Sequence, residues 1–241
     1  MKGIIINMAI GIILLAGSST RYSSVTPKQF ELVNNRPLFD YAISTFLANK
    51  NISKVVLVTR SDYVDYLKDF YKKKKKILGV IEGGETRQQS VFNSLSFLES
   101  KIKSNEKILI HDAARPLVSD QMINDVIATL DEYKSCTIAS LTTNTLCQSH
   151  SETIENYVDR GITFSIETPQ GFIYENLFEA HKRMDTNLFT DDTQLLQSVG
   201  IKTKLVISKD FNFKITTKSD MELFIRLSAK EGNWWNTKLD N

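Results

Sequence analysis

The segment LLAGSSTRYSSVTPKQF, residues 14–30, contains the residue types that bind phosphate groups. An apolar run stops at Gly17, hydroxyl side chains follow, and Arg21 and Lys28 lie on either side of Pro27. Backbone N–H groups of such a loop, close to a helix start, can surround phosphate oxygens, while arginine and lysine neutralise their charge. The segment therefore indicates a site for a polyphosphate.

Two common phosphate motifs do not fit this loop. The Walker A pattern needs Gly-Lys-Ser/Thr at the helix start, and the dinucleotide fingerprint needs glycines where this loop has Ser19 and Tyr22. Hydride transfer with a dinucleotide is therefore disfavoured, and a polyphosphate held by loop amides, hydroxyls and two cations is the remaining interpretation.

Composition places the protein among ordinary globular proteins. The chain has 241 residues, 41% of them hydrophobic, and a net charge of only +2, so nothing global indicates a nucleic-acid or membrane partner. Cys136 and Cys147 are too few and too far apart for a metal site or a redox pair, which favours a reducing compartment. We expect a cytoplasmic protein.

The N-terminus imitates a signal peptide, because Lys2 precedes an apolar run that ends in small residues. That run is shorter than the ~20 residues that span a bilayer, and cleavage after Gly17 would cut the phosphate loop. We interpret the run as a buried first strand, and either Met1 or Met8 could be the natural start.

The elements that must position the loop alternate between short apolar runs and amphipathic segments, which predicts an α/β fold with a mostly parallel, Rossmann-like sheet and helices on both faces. Predicted strands are residues 10–16, 54–59, 79–84, 107–112, 136–141, 202–208 and 213–216. Predicted helices lie in residues 36–48, in 61–76, with Lys72–Lys76 at its end, and around 91–98. Four more helices are predicted to follow Ser119, TPQGF, Thr190 and Thr217, with Thr190 and Thr217 as their caps.

Residues 142–167 break this alternation. They have the character of two extended strands around a polar turn, too long for a simple connection in a compact domain. We predict an arm that projects from the body toward a second subunit.

Ligands of an open parallel sheet bind beyond the carboxyl ends of its strands, so the residues that follow each predicted strand should share one site. They are Gly17, Ser18, Ser19, Thr20, Arg21 and Lys28 after the first strand; Gly83, Gly84, Arg87 and Ser90 after the third; and Asp112 and Arg115 after the fourth.

Eight short motifs occur in order along nearly the whole chain: LLAGSSTR, TPKQF, IEGGETRQQSV, HDAARP, VDR, TPQGF, TDD and NFKITT. Together they closely resemble the 2-C-methyl-D-erythritol 4-phosphate cytidylyltransferase family. The resemblance implies a single nucleotidyltransferase domain over 1–241 and a CTP-dependent enzyme that transfers CMP to a phosphorylated polyol with Mg2+, releasing pyrophosphate, in isoprenoid precursor synthesis. It also implies a homodimer in which the arm of each subunit helps to build the partner's site.

The resemblance assigns roles by motif position. Arg21, Lys28 and Lys214 are the expected catalytic cations. The expected CTP-binding residues are Ala16, Gly17, Ser18, Ser19, Thr20, Gly83, Gly84, Glu85, Ser90, Asp112 and Ala113, with Asp112 also near the metal, which would be held mainly by the CTP phosphates. The expected polyol-phosphate contacts are Arg115, Arg160 and Thr190, with Arg160 acting across the dimer.

This chemistry needs no histidine. The nucleophile is a phosphate monoester oxygen, already largely ionised near pH 7 because its second pKa is about 6, so no general base is required. His111, at the end of a predicted strand, is therefore interpreted as a structural residue.

Three departures from the family's usual pattern concern the arm and the loop. Asn144 replaces a common aspartate, Cys147 and Gln148 replace a basic stretch, and Ser19 and Thr20 stand where a second glycine is common. A ribitol-5-phosphate cytidylyltransferase, with the same fold and chemistry, stays the main alternative. A nucleotide-binding regulatory module without catalysis is the other, although the cations of the site disfavour it.

Overall fold

The computed structural model describes residues 8–17, 22, 26–183 and 189–229. The strands are β1 (Ala9–Leu14), β2 (Leu32–Val33), β3 (Arg36–Pro37), β4 (Ile52–Thr59), β5 (Ile77–Glu82), β6 (Lys107–Asp112), β7 (Ser135–Leu141), β8 (Leu146–Gln148), β9 (Asn156–Val158), β10 (Phe164–Ile173) and β11 (Lys204–Ile207). The helices are α1 (Leu38–Ala48), α2 (Val64–Phe70), α3 (Arg87–Leu98), α4 (Asp120–Thr129), α5 (Tyr174–Arg183), α6 (Asp192–Ser198) and α7 (Lys218–Ser228), with short 3-10 turns at Lys28–Phe30, Ser61–Tyr63 and Arg160–Ile162.

The main sheet confirms the predicted fold class. Among the described residues it has seven strands in the order β11-β7-β10-β6-β1-β4-β5. Strands β1, β4, β5 and β6 pair in parallel, as do β7 and β11, whereas β10 runs antiparallel to both β6 and β7. The carboxyl ends of the parallel strands therefore meet at one edge of the sheet.

Only the start of β10 was predicted to be extended, because the predicted arm ends at residue 167 and TPQGF was expected to lead into a helix. It contains Pro169, which cannot donate to a sheet ladder, and its pairing with β7 shifts register between Ile166 and Gln170. The irregularity accommodates the proline inside the sheet. Only pairing with two neighbours, which the sequence pattern does not show, makes this segment a strand.

Alternating side chains build a core on each face of the sheet. Val55 and Leu57 point to the face covered by α1, α2 and α4, while Val56 and Val58 point to the face covered by α3, α5 and α6. A third cluster packs α7 against the start of α1. Both faces of the central strands are therefore buried, which is why their sequences are almost continuously apolar.

Gly171, in β10, packs against Val126 of α4. A Cβ atom there would lie 2.5 Å from Cγ1 of Val126 and 2.9 Å from Sγ of Cys136. We expect Gly171→Ala to lower the free energy of unfolding by ~1 to 3 kcal/mol through overpacking. Urea denaturation measures this, and an unchanged midpoint would show that α4 moves away without cost.

Three local predictions were wrong. Helix α2 ends at Phe70, before the lysine run, because Tyr71 turns inward and donates a hydrogen bond to Asp40 (2.6 Å). Residues 213–216 form no ladder among the described residues, although Ile215 N donates to Ala114 O (2.8 Å). The cap of α6 is Asp191, whose side chain accepts from Gln194 N, and not Thr190.

The other expected local features agree with the structure. Helix α4 follows Ser119 as predicted, and Ser119 is its cap. Thr217 caps α7 as predicted: its Oγ1 accepts from Asp220 N, and the Asp220 side chain accepts from Thr217 N. Strands β8 and β9 pair antiparallel as a ribbon between β7 and β10, where extended strands around a turn were expected. Within the part of the chain that is described, every helix is too short or too polar to cross a lipid bilayer.

Candidate active site

A cleft of ≈ 320 Å³ opens at the carboxyl edge of the parallel strands. Its walls bring together nine of the residues predicted for the site: Ala16, Gly17, Lys28, Gly84, Glu85, Arg87, Ser90, Asp112 and Lys214. They come from four separate parts of the chain. The common direction of β1, β5 and β6 brings the first three together, and the hydrogen bond from Ile215 N to Ala114 O holds the segment of Lys214 beside the end of β6. Ser18, Ser19, Thr20 and Arg21 lie outside the described residues.

The first wall is the end of β1, held by a residue that the sequence did not single out. Gln29 is buried, and its side-chain amide donates to the carbonyls of Leu15 (2.5 Å) and Gly17 (3.0 Å). Lys28, its neighbour, is also buried and lines the cleft. The sequence did not indicate a role for Gln29, because that role depends on contact with a segment twelve or more residues away.

The second wall is the loop between β5 and α3. Ser90 Oγ accepts from Gly84 N and donates to Thr86 O, both at 3.0 Å, so the start of the helix pins the loop. At Gly83 a Cβ atom would lie 2.7 Å from Cβ of Ala16, so glycine lets the two walls meet. Gly83, Gly84 and Glu85 also line an adjoining cavity of ≈ 560 Å³.

Asp112, at the end of β6, faces two cations. Lys214 Nζ lies 2.6 Å from Oδ2, and Arg87 Nε lies 3.4 Å from Oδ1. Burial alone would raise the pKa of this carboxyl, but the charges of Arg87 and Lys214 outweigh burial and hold it well below its usual range. Asp112 is therefore a carboxylate at neutral pH.

Arg87 connects Asp112 to a second buried carboxylate. Its Nη1 lies 2.6 Å from Oδ2 of Asp192, and Asp192 Oδ1 lies 3.0 Å from Nε2 of His181. Burial would raise the pKa of Asp192, but the Arg87 charge and the His181 hydrogen bond lower it. The sequence assigned roles to neither Asp192 nor His181, and a charged residue in the first turn of a helix usually faces water.

His111 is fully buried behind Asp112 and has a partner on each ring nitrogen. Nε2 donates to Arg115 O, and Nδ1 accepts from Thr168 Oγ1, both at 3.0 Å. Burial lowers its pKa from 6.5 to about 4, so the ring is neutral near pH 7. This geometry supports the structural interpretation, since both nitrogens are engaged within the protein.

The remaining predicted residues do not line this cleft. Ala113 is buried in the core, and its N–H donates to Leu14 O (3.0 Å). Arg115 lies near the end of β6, where Nη1 donates to Asn212 O (2.7 Å). Arg160, in the arm, and Thr190, beside α6, are exposed.

The cleft provides oxygen ligands of the kind that Mg2+ prefers. Asp112 is ionised, and the Glu85 carboxylate lines the same cleft. The described residues contain no cluster of three or more metal-binding side chains. This set fits a magnesium ion held by one or two carboxylates together with substrate phosphates, the usual arrangement for phosphate-transferring enzymes.

Comparison with known proteins identifies the family. The family model described as 2-C-methyl-D-erythritol 4-phosphate cytidylyltransferase (IspD) matches residues 9–225. The chain belongs to this cytidylyltransferase family. Membership confirms the predicted enzyme class, a CTP-dependent nucleotidyltransferase.

Individual relatives agree with the family match. A 2-C-methyl-D-erythritol 4-phosphate cytidylyltransferase from Thermotoga neapolitana is 40% identical over 224 residues, covering 93% of this chain and 98% of the relative. A ribitol-5-phosphate cytidylyltransferase from Vibrio parahaemolyticus is 31% identical and covers 90% of this chain and 94% of its own length.

The fold comparison gives the same family. The crystal structure of 4-diphosphocytidyl-2C-methyl-D-erythritol synthase from Anaerococcus prevotii superposes with a TM-score of 0.78 at 25% identity, covering 93% of this chain and all (100%) of that one. The fold of this chain is therefore similar to that of a solved 4-diphosphocytidyl-2C-methyl-D-erythritol synthase.

Proposed function

We propose that this chain transfers CMP from CTP to 2-C-methyl-D-erythritol 4-phosphate and releases pyrophosphate. The observation that supports it best is the cleft in which Lys28, Lys214 and Asp112 meet two glycine-containing loops. The family match supplies the substrate pair, and the erythritol enzymes among the relatives include the one at 40% identity.

The loops would hold CTP from two sides. Ala16 and Gly17, after β1, would approach the phosphates, while Gly83, Gly84, Glu85 and Ser90 would form the wall for cytosine. The Ser90 hydrogen bonds keep that wall rigid, so the base meets preformed polar groups. Ala113 would contribute backbone near the ribose.

The reaction brings together two anions, and the site opposes their repulsion. A phosphate oxygen of the polyol forms a bond to the α-phosphorus, and the bond from that phosphorus to pyrophosphate breaks. Lys28, Lys214 and Arg21 would stabilise the charge that grows on the α-phosphate and the leaving group. Bound Mg2+, held by Asp112 and the phosphates, would supply further neutralisation. No proton has to be removed by the protein, because the nucleophile arrives ionised.

Arg115, Arg160 and Thr190 would bind the polyol phosphate, with Arg160 supplied by the partner subunit. The arm favours this arrangement because it exposes large apolar side chains: Ile154 is 57% exposed, Tyr157 70% and Ile162 76%. Exposed apolar surface of this kind is typical of protein interfaces. We therefore propose a homodimer formed through the arm.

Pyrophosphate release from CTP, measured with each polyol phosphate in turn, tests the proposed function. We expect fast release with 2-C-methyl-D-erythritol 4-phosphate, little with ribitol 5-phosphate and none with CTP alone. Faster release with ribitol 5-phosphate would favour the second candidate, which the Vibrio parahaemolyticus relative supports. CTP binding without pyrophosphate release in the presence of either polyol phosphate would indicate a regulatory module.

Subunit mixing tests whether the site is shared. When Arg160→Ala and Lys28→Ala proteins exchange subunits at equal amounts, about a quarter of normal activity should return, because half of the dimers are hybrids with one intact site each. Each variant alone serves as the control. No recovery after demonstrated exchange would place both residues in the same subunit's site.

A further inference from the structure

We propose that Arg87 and Asp192 form a positioning pair for Asp112: Asp192 holds the Arg87 guanidinium, and Arg87 holds Oδ1 of Asp112 in the orientation that CTP and its metal require. This inference rests on the proposed function. It gives a role to Arg87, which the sequence placed at the site without one, and to Asp192, to which the sequence assigned none.

The position of Arg87 is unfavourable for a helix taken alone. It is the first residue of α3, directly after the Thr86 cap, where the positive end of the helix dipole disfavours a cation. The position becomes favourable only because Asp112 and Asp192 lie on its two sides, at 3.4 and 2.6 Å. A residue that breaks a local rule and is compensated at a site is typical of function.

Asp192 acts from outside the cleft. Its side chain is completely buried, and both of its oxygens are engaged, one by Arg87 and the other by His181. It does not line the cleft, whereas Arg87 does. Any effect of Asp192 on CTP binding must therefore pass through the residues that it holds.

The result for Asp112 is a carboxylate restrained at both oxygens. Lys214 contacts Oδ2 at 2.6 Å, and Arg87 contacts Oδ1 at 3.4 Å through Nε while its Nη1 contacts Asp192 at 2.6 Å. Asp192 thereby fixes the guanidinium that faces Oδ1 of Asp112. Oδ1 stays oriented by a cation and yet available for a metal ion.

Calorimetric titration of CTP in the presence of Mg2+ tests the pair without relying on turnover. We expect Arg87→Lys and Asp192→Asn each to raise the Kd about 10- to 100-fold, the usual effect of removing a residue that orients a metal ligand. Arg36→Gln is the matched control, because Arg36 pairs with Asp40 at a similar 2.7 Å and does not line the cleft. Its Kd should equal that of the wild type.

A mutant cycle separates positioning from the other roles that Arg87 could have. In an Asp112→Asn background, Arg87→Lys should weaken CTP binding by less than about twofold, because the residue that it positions is already altered. An undiminished loss in that background would overturn the proposal, since Arg87 would then contact CTP directly or support the fold in general. Thermal unfolding of every variant identifies the folded fraction to which each Kd refers.

The Asp192→Asn variant tests the part of the proposal that concerns Asp192. A folded Asp192→Asn protein with wild-type affinity for CTP would also overturn the proposal. Failure of the proposed function is seen separately in the wild-type protein, which would then either bind no CTP or bind it without releasing pyrophosphate in the presence of 2-C-methyl-D-erythritol 4-phosphate.

Discussion

Replacing Lys28 with alanine is expected to lower kcat about 100- to 1000-fold, with a much smaller effect on the apparent affinity for CTP. Lys28 is buried in the cleft beside the end of β1, where its ammonium can face the phosphates. Charge grows on the α-phosphate and the leaving pyrophosphate during transfer, so an aimed cation stabilises the transition state more than the bound substrate. Steady-state kinetics with saturating Mg2+ measures both constants.

Two further variants test whether the loss of kcat is specific to the Lys28 side chain. Lys28→Arg keeps the charge but changes its shape and reach, so it should recover only part of the activity. Lys76→Ala removes a lysine that donates to Asn49 O (2.6 Å) and does not line the cleft, so kcat should stay unchanged. A loss confined to KM in Lys28→Ala would mean that this lysine binds CTP without assisting the transfer.

The second large expected effect is a decrease in the free energy of unfolding as the pH is lowered from 6.5 to 4. His111 has a pKa of about 4 when folded, lowered by burial from 6.5. The unfolded chain therefore binds a proton in this range that the folded chain does not, and stability falls as pH falls. The contribution of neutral His111 to the free energy of unfolding is fully present above pH 6.5, and about 3 kcal/mol of that free energy is lost by pH 4. Urea denaturation of metal-free protein across this range measures it.

The matched variant is His111→Gln, which keeps a polar side chain and cannot titrate. It should be less stable than the wild type near pH 7, because His111 bonds both Arg115 O and Thr168. Its stability should nevertheless depend less on pH between 6.5 and 4. Its kcat, per folded molecule, should stay close to the wild-type value. An essential acid or base at this position would instead abolish activity in a folded variant.

Much of the site could be predicted because the sequence shows where each strand ends, and parallel strands of one sheet end at the same edge. Apolar runs followed by glycines, hydroxyls and cations mark the carboxyl ends of parallel strands, and such ends meet at one edge. Gly84, Ser90 and Asp112 lie in one cleft for that reason. The order of the motifs along the chain indicated the family.

The errors of the sequence interpretation have a physical cause as well. Strand β10 contains a proline and a register shift, so neither alternation nor propensity marks it, and it exists because β6 and β7 pair with it on both sides. The cap of α6 is Asp191 instead of Thr190 because local side-chain geometry, which composition does not encode, selects between adjacent polar residues.

The sequence by itself determined the α/β alternation and the family, and it predicts a phosphate site in residues 14–30. These depend on patterns within a few residues or on motif order. Only the tertiary structure decided that Gln29 holds the end of β1, that Arg87 joins Asp112 to Asp192, and that His111 is neutral. Each of these depends on burial and on partners distant in sequence, and the energy of a charge or hydrogen bond is set by its surroundings after folding.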